Sequence, residues 1–216
     1  MKHVRPYVIF HLLDAVPSDR IASVKIPIRR DLSLLETFLL VTAVRLVKAR
    51  RIFEFGTFFG STTLNLALNS PADAEIFTLD LSREEAKGLE QDPADAPLTL
   101  MHFERTAMEY EGVEGANKIR PLKGNSRTFD FSPWSNSIDL IFIDGGHDYD
   151  TVKQDTKNAF QMVRKDKPAC IFWHDYRNPD CSGNTFYLDE LSVSHDLFHV
   201  EDTMLCGWLN FTKVEA

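Results

Sequence analysis

Arg51-Ile52-Phe53-Glu54-Phe55-Gly56-Thr57-Phe58-Phe59-Gly60-Ser61-Thr62-Thr63 is the stretch whose reading decides the fold. Its first residues carry aromatic and β-branched side chains and read as a strand. Two glycines then let the backbone turn sharply and approach a ligand closely. A helix follows from Ser61 to Asn69, with a hydroxyl residue as its cap. A strand that passes through a glycine turn into a helix is the opening of an alternating α/β chain.

The alternation continues outward in both directions. Upstream, Ser33 and Glu36 have capping-box spacing, and the apolar residues from Leu34 to Val47 recur with a helical period. Downstream, Glu75–Asp80 and Lys118–Leu122 read as strands, and a polar helix starts at Ser82. Ile138–Asp144 is the strongest strand signal, followed by a helix over Tyr149–Val163 and a strand over Ala169–Trp173. Two late apolar runs, Leu197–Val200 and Met204–Phe211, suit a hairpin. Strands alternating with helices imply a doubly wound, Rossmann-like parallel sheet covered on both faces, made mixed by the late hairpin. The expected organisation is one domain over residues 1–216. An N-terminal helical or cap segment spans 1–48 and a cofactor-binding core spans 49–216. Residues 82–117 exceed the needs of one crossover. They read either as a solvated helical excursion or as a lid or oligomer surface.

Composition narrows the function. The chain has 216 residues, 44% hydrophobic and 26% charged, with a formal net charge of −8. An acidic balance without a long basic run argues against nucleic acid and anionic membranes as partners, and for a small-molecule substrate. Cys170, Cys181 and Cys206 form no C-x-x-C pair, so neither a disulfide framework nor a structural zinc site is expected. The short apolar stretch from Tyr7 to Leu13 is broken by Asp14 and makes a poor signal peptide. The expected compartment is the cytoplasm, and a homodimer is the default assembly.

Ligands of open α/β sheets bind beyond the carboxyl ends of the strands. Polar residues stand at all five such ends here. The first is the Glu54–Gly60 turn. Its glycine spacing differs from the dinucleotide fingerprint, and Glu54 would repel a phosphate while attracting a cation. S-adenosylmethionine, with its sulfonium and amino groups, suits that loop. Asp80 ends the second strand, where an acid can hold ribose hydroxyls or cap a helix. Asn125 and Ser126 follow the third and can read adenine or shape the loop around it. Asp144, with His147 beyond it, ends the fourth; His174 and Asp175 end the fifth. Converging there, these groups suit a divalent cation or a general base.

These residues resemble the class I methyltransferases, within them the bacterial group of catechol- and macrolide-sugar-type O-methyltransferases. The likeness lies in Phe53–Thr63, Thr78–Ser82, Asp139–Tyr149 and Ile171–Tyr176. It implies a seven-stranded mixed sheet with S-adenosylmethionine across the first strand ends. Glu54, Gly56, Thr57 and Gly60 would line its methionine end, Asp80 and Leu81 its ribose, and Asn125 and Ser126 its adenine, with Asp144 nearby. In metal-dependent relatives the acids after the fourth and fifth strands bind magnesium. Here those positions are Asp144, His174 and Asp175. Such relatives usually carry Asp-Asp or Asp-Asn where this chain has His174-Asp175. The Gly-Gly commonly seen before the fifth strand is also absent, with Arg164-Lys165-Asp166-Lys167-Pro168-Ala169 in its place.

The expected chemistry is methyl transfer to oxygen, with His147 or His174 taking the proton and Asp144 and Asp175 orienting the base or binding metal. Two other readings stay open at this point. One is a nucleotide-dependent oxidoreductase or epimerase using NAD. The other is a non-catalytic Rossmann-like binding domain.

Overall fold

A computed structural model describes residues 1–14, 32–89, 93 and 95–211. Residues 15–31 of the expected N-terminal segment lie outside the described residues. The elements run β1 (Lys2–Val4), α1 (Pro6–Asp14), α2 (Leu34–Leu46), β2 (Arg51–Phe55), α3 (Ser61–Asn69), β3 (Glu75–Asp80), α4 (Arg83–Ala86) and α5 (Asp95–Phe103). Then follow β4 (Ile119–Lys123), β5 (Leu140–Ile143), α6 (Tyr149–Met162), β6 (Cys170–Trp173), α7 (Ser182–Leu191), β7 (Phe198–Val200) and β8 (Cys206–Leu209).

The strands form one sheet in the order β1-β7-β8-β6-β5-β2-β3-β4. β2 pairs in parallel with both β3 and β5, while β8 runs antiparallel to β6 and β7. The expected late hairpin is therefore present. The sheet has eight strands, one more than the seven expected. The addition is β1, which pairs in parallel with β7 through Lys2↔Phe198 and Val4↔Val200. Three residues are too few to show an alternating pattern, so only the distant partner strand reveals this one.

The central strands β2, β5 and β6 are buried on both sides, and their successive residues feed different cores. Ile52, Leu140, Phe142, Cys170 and Phe172 join α2 and α3 in one cluster. Phe53, Phe55, Ile141, Ile143, Ile171 and Trp173 join α6 and α7 in the other. That is the period of two of a pleated strand, applied to a sheet with helices on both faces. Each fully buried Phe or Ile contributes roughly 1.5–3 kcal/mol by leaving water.

α2 starts as expected: the Ser33 hydroxyl accepts from the Glu36 N–H at 3.2 Å, and Glu36 Oε2 accepts from the Ser33 N–H at 2.7 Å. α3 does not. Its N-cap is Gly60, at φ +80°, without a side-chain cap, and Ser61 is already helical. The left-handed turn is what swings the chain from β2 into α3, and glycine adopts it without strain.

Candidate functional site

Chain order reverses between β2 and β5: β2 leads outward to β3 and β4, and the chain returns to β5 on the other side. The crevice at this switch point is where such sheets bind ligands. A cavity of about 350 Å³ opens there, within the roughly 300–1,000 Å³ usual for small-molecule sites. Glu54, Gly56, Thr57, Asp80 and Leu81 line one side of it. Asn125 and Ser126 line another, and Asp144, His147, His174 and Asp175 the third. Gly60 is not part of the wall; it shapes the turn, its N–H donating to the Thr57 carbonyl at 2.8 Å.

Gly56 brings the loop close to the β5 end. At φ +87°, a Cβ there would lie 2.0 Å from the Asp144 carbonyl oxygen, so only glycine fits. Asp80 braces the loop from β3. Its Oδ2 accepts from the N–H groups of Thr57 at 3.2 Å and Phe58 at 3.0 Å, and its Oδ1 from Leu81 at 2.8 Å. Asn125 is a loop former: its Oδ1 accepts from the Arg127 N–H at 3.0 Å.

Glu54 lies beneath the loop and is only 1% exposed. The Thr63 hydroxyl donates to its Oε2, as does Thr78 at 2.6 Å. Burial pushes its carboxyl up to about 8, and the charges of Asp144 and Asp80 push the same way, against the two threonine hydrogen bonds. Three carboxyl groups therefore crowd one end of the cavity, and a cation placed there would relieve them.

The fourth and fifth strand ends carry a continuous chain of acids and imidazoles. His174 Nδ1 lies 3.1 Å from Asp144 Oδ1 and 3.2 Å from Asp175 Oδ2. Its Nε2 faces Glu36 Oε1 at 3.5 Å. His147 Nε2 lies 2.8 Å from Asp175 Oδ2, and its Nδ1 is hydrogen-bonded to Asp95. Burial alone would depress both imidazoles, but the carboxylates outweigh it. His147 is raised to about 10 through Asp175 and Asp95, and His174 is raised well above its ordinary value, chiefly by Asp144. Asp175 is lowered in turn: burial opposes ionisation, and His147 and His174 more than offset it. Glu36 is held at about 2, where His174, the Met204 amide and Ser33 outweigh burial.

This arrangement alters the expected division of labour. An imidazolium between two carboxylates has no lone pair with which to take a proton. In this geometry neither His147 nor His174 is a ready base, and the most open acid beside them is Asp144, its side chain 21% exposed against 15% for Asp95 and 11% for Asp175.

Four residues were not anticipated as site residues. Glu36 was legible only as a capping residue, yet its second oxygen reaches His174 and the Met204 N–H, the latter at 2.7 Å. Asp95 and His102 come from α5, which lies over the cavity together with Leu98 and Thr99. Residues of α5, within the 82–117 excursion, line the cavity although none of them is buried. Asp155 lines the cavity from α6, where the helical period alone predicts an apolar residue.

The sequence profile of the family described as "Methyltransferase domain" matches residues 53–176. No curated protein matches the chain. Among solved structures, a putative O-methyltransferase from Klebsiella pneumoniae is similar at 18% identity and a TM-score of 0.56, over 94% of this chain and 96% of that one. The O-methyltransferase involved in tomaymycin synthesis from Streptomyces achromogenes, in complex with SAM, is similar at 17% identity and a TM-score of 0.54, over 94% and 88%. An SAH-bound methyltransferase from Podospora anserina is similar at 14% identity and a TM-score of 0.57, over 98% and 90%. At these identities the structural likeness establishes the fold.

Proposed function

Since this chain belongs to the methyltransferase-domain family, matched over residues 53–176, we propose that it transfers the methyl group of S-adenosylmethionine to a hydroxyl oxygen of a small molecule. The observation that carries the reading is the acidic switch-point cavity, in which Glu54, Asp80 and Asp144 surround a glycine turn. A sulfonium and an ammonium group suit those carboxyls, whereas the pyrophosphate of NAD would be repelled by them. The acids and imidazoles at the strand ends are the reactive inventory that a mere binding domain would not need. The solved relatives bound to SAM or SAH support the same cofactor.

The methyl group is already activated by the sulfonium, so the protein's contribution is alignment, desolvation and proton management. The Gly56 turn and Asp80 position the cofactor. α5 shields the cavity from water through Asp95 and His102. Asp144, open to the cavity, orients the acceptor hydroxyl and takes its proton, while His147 fixes Asp175 and ties it to α5.

The residues also fit a divalent cation. Asp144, His174 and Asp175 bring three atoms within 4.8 Å of one another, the His174 nitrogen becoming a donor once an ion displaces its proton, and donors side by side on an ion at about 2.1 Å would stand roughly 3 Å apart. Behind His174, Glu36 faces the far ring nitrogen, and behind Asp175 stands His147, as outer partners of ligands commonly do. When bound, such an ion would act as a Lewis acid on the acceptor oxygen. One imidazole among the donors admits manganese and other first-row dications as well as magnesium.

The test is transfer of radiolabelled methyl from S-adenosylmethionine to panels of phenols, sugars, thiols and amines, with calorimetric titration of Mn²⁺ alongside. Label is expected on hydroxyl compounds, and Mn²⁺ binding is expected in the wild type but not in His174→Ala. Label only on thiols or amines would overturn the oxygen assignment. Equal Mn²⁺ binding by the variant would remove His174 from the ligands.

No helix among the described residues is long and apolar enough to cross a membrane. We place the protein's chemistry among small molecules of the cytoplasm on its acidic charge and the modest cavity.

A further inference from the structure

The outer strand of the sheet carries a histidine that meets a second one. Among the described residues β7 is the strand neighbour of β1, and their register sets His3 beside His199. The two Nδ1 atoms lie 2.9 Å apart, with the rings nearly perpendicular, at 83°. His199 is buried and His3 is half-buried. Neither lines the cavity.

The groups on either side decide where the protons sit. His199 Nε2 lies 2.8 Å from the Thr203 carbonyl oxygen, which can only accept, so Nε2 carries the hydrogen. The neutral ring then offers a lone pair at Nδ1, and His3 donates to it from its own Nδ1. That leaves His3 Nε2 as an acceptor. It faces the Arg177 guanidinium, which can only donate, at 3.4 Å. The result is one directed chain, from Arg177 through His3 and His199 to Thr203, in which both imidazoles are neutral. An added proton either sets two N–H groups face to face or puts a hydrogen on His3 Nε2, against Arg177. A second proton does both.

We propose that His3 and His199 form an acid-sensitive latch, which holds β1 on the sheet while both rings are neutral and releases it when the pair takes up protons. The inference does not rest on the cofactor reading. Every element around the pair contributes a group. The loop after β6 brings Arg177 and the Tyr176 ring, whose hydroxyl donates to Asp189 of α7 at 2.7 Å. β8 sets Cys206 opposite His199. β1 brings Lys2, paired with Asp196 at 2.6 Å, and Arg5, 3.9 Å from Glu201 after β7. Burial most of all holds the His199 imidazole below its ordinary 6.5; the charges of His3 and Arg177 act the same way, against the Thr203 carbonyl and Glu201. The detached or unfolded strand therefore binds the extra proton, and the latch weakens as pH falls below 6.5. Its opening reaches the site through one turn. There the Glu201 N–H donates to the Val4 carbonyl at 2.8 Å, and the Met204 N–H to Glu36 Oε1 at 2.7 Å.

The experiment is amide hydrogen exchange read by NMR at about pH 7.5 and about pH 5, corrected for the intrinsic pH dependence, on the wild type, His3→Gln and His199→Gln. Circular dichroism melts check that each variant is folded. In the wild type, protection of residues 2–4 and 198–200 is expected to fall about tenfold or more on acidification while that of α6 holds. In either folded variant the fall should shrink to within about threefold, because glutamine does not titrate. Long-range proton–nitrogen spectra of the wild type at the higher pH should place the ring hydrogen on Nδ1 of His3 and on Nε2 of His199. No fall in the wild type, a fall shared by α6, or an undiminished fall in both folded variants overturns the proposal. So does a charged ring, or the opposite pair of tautomers, at the higher pH.

Discussion

Glu54 shows how much a single side chain can carry here. As a sequence feature it was an acid beside a glycine turn, and its repulsion of phosphate was legible. What was not legible was the depth of its burial, because that depends on α3 and β3 closing over it through Thr63 and Thr78. The linkage has a definite sign. With its carboxyl raised from 4.5 to about 8 in the fold, the native state holds a proton that the unfolded chain releases. Stability therefore falls as pH rises from 4.5 towards 8. Glu54→Gln should flatten that fall in urea unfolding measured across this pH range. A variant with the wild-type pH profile would show that Glu54 ionises freely in the fold. His174 and His147 teach the opposite lesson. The residue types and their convergence could be read from the strand ends, but their protonation could not, because it depends on how closely Asp144 and Asp175 pack against the rings and on Glu36 and Asp95, which come from α2 and α5.

At the scale of elements, the strands and helices that follow a strong period were legible. β2, β3, β5 and β6 have apolar runs bounded by turns, and the capping box announced α2. β1 was missed because three residues carry no period, and Gly60 displaced Ser61 as a cap because a left-handed turn was needed. α5 is the element that sequence left open between two readings. None of its described residues is buried, and polar contacts tie it to the domain, among them those of Asp95 to His147, of His102 to the Phe58 carbonyl at 2.9 Å, and of Arg83 to the Phe103 carbonyl. Elements attached in this way open more easily than the core. Hydrogen exchange should show residues 95–103 exchanging faster than α6 in the free protein and slowing when S-adenosylhomocysteine is added. Asp95→Ala should abolish most of that slowing without lowering the melting temperature by more than a few degrees. Exchange in this helix that ignores the ligand would mean that α5 does not close over the site.

Across the whole molecule, the sheet order and the ring of acids at one edge belong together. The reversal of chain order between β2 and β5 creates the crevice, and the strand ends deliver Glu54, Asp80, Asp144 and Asp175 to it from four different places in the sequence. That is why the general position of the site could be read from strand ends alone, while its lid and its buried acids needed the fold. A fold of this kind supports many chemistries, so the claim stands on the cavity and on family membership together. The most direct measurement is calorimetric titration of the purified protein with S-adenosylhomocysteine and, separately, with NAD, repeated on Asp80→Ala. The account predicts saturable binding of S-adenosylhomocysteine at one site per chain, at least about tenfold weaker in the variant for loss of a charge-assisted hydrogen bond, and no heat with NAD. Binding of NAD without S-adenosylhomocysteine would contradict it.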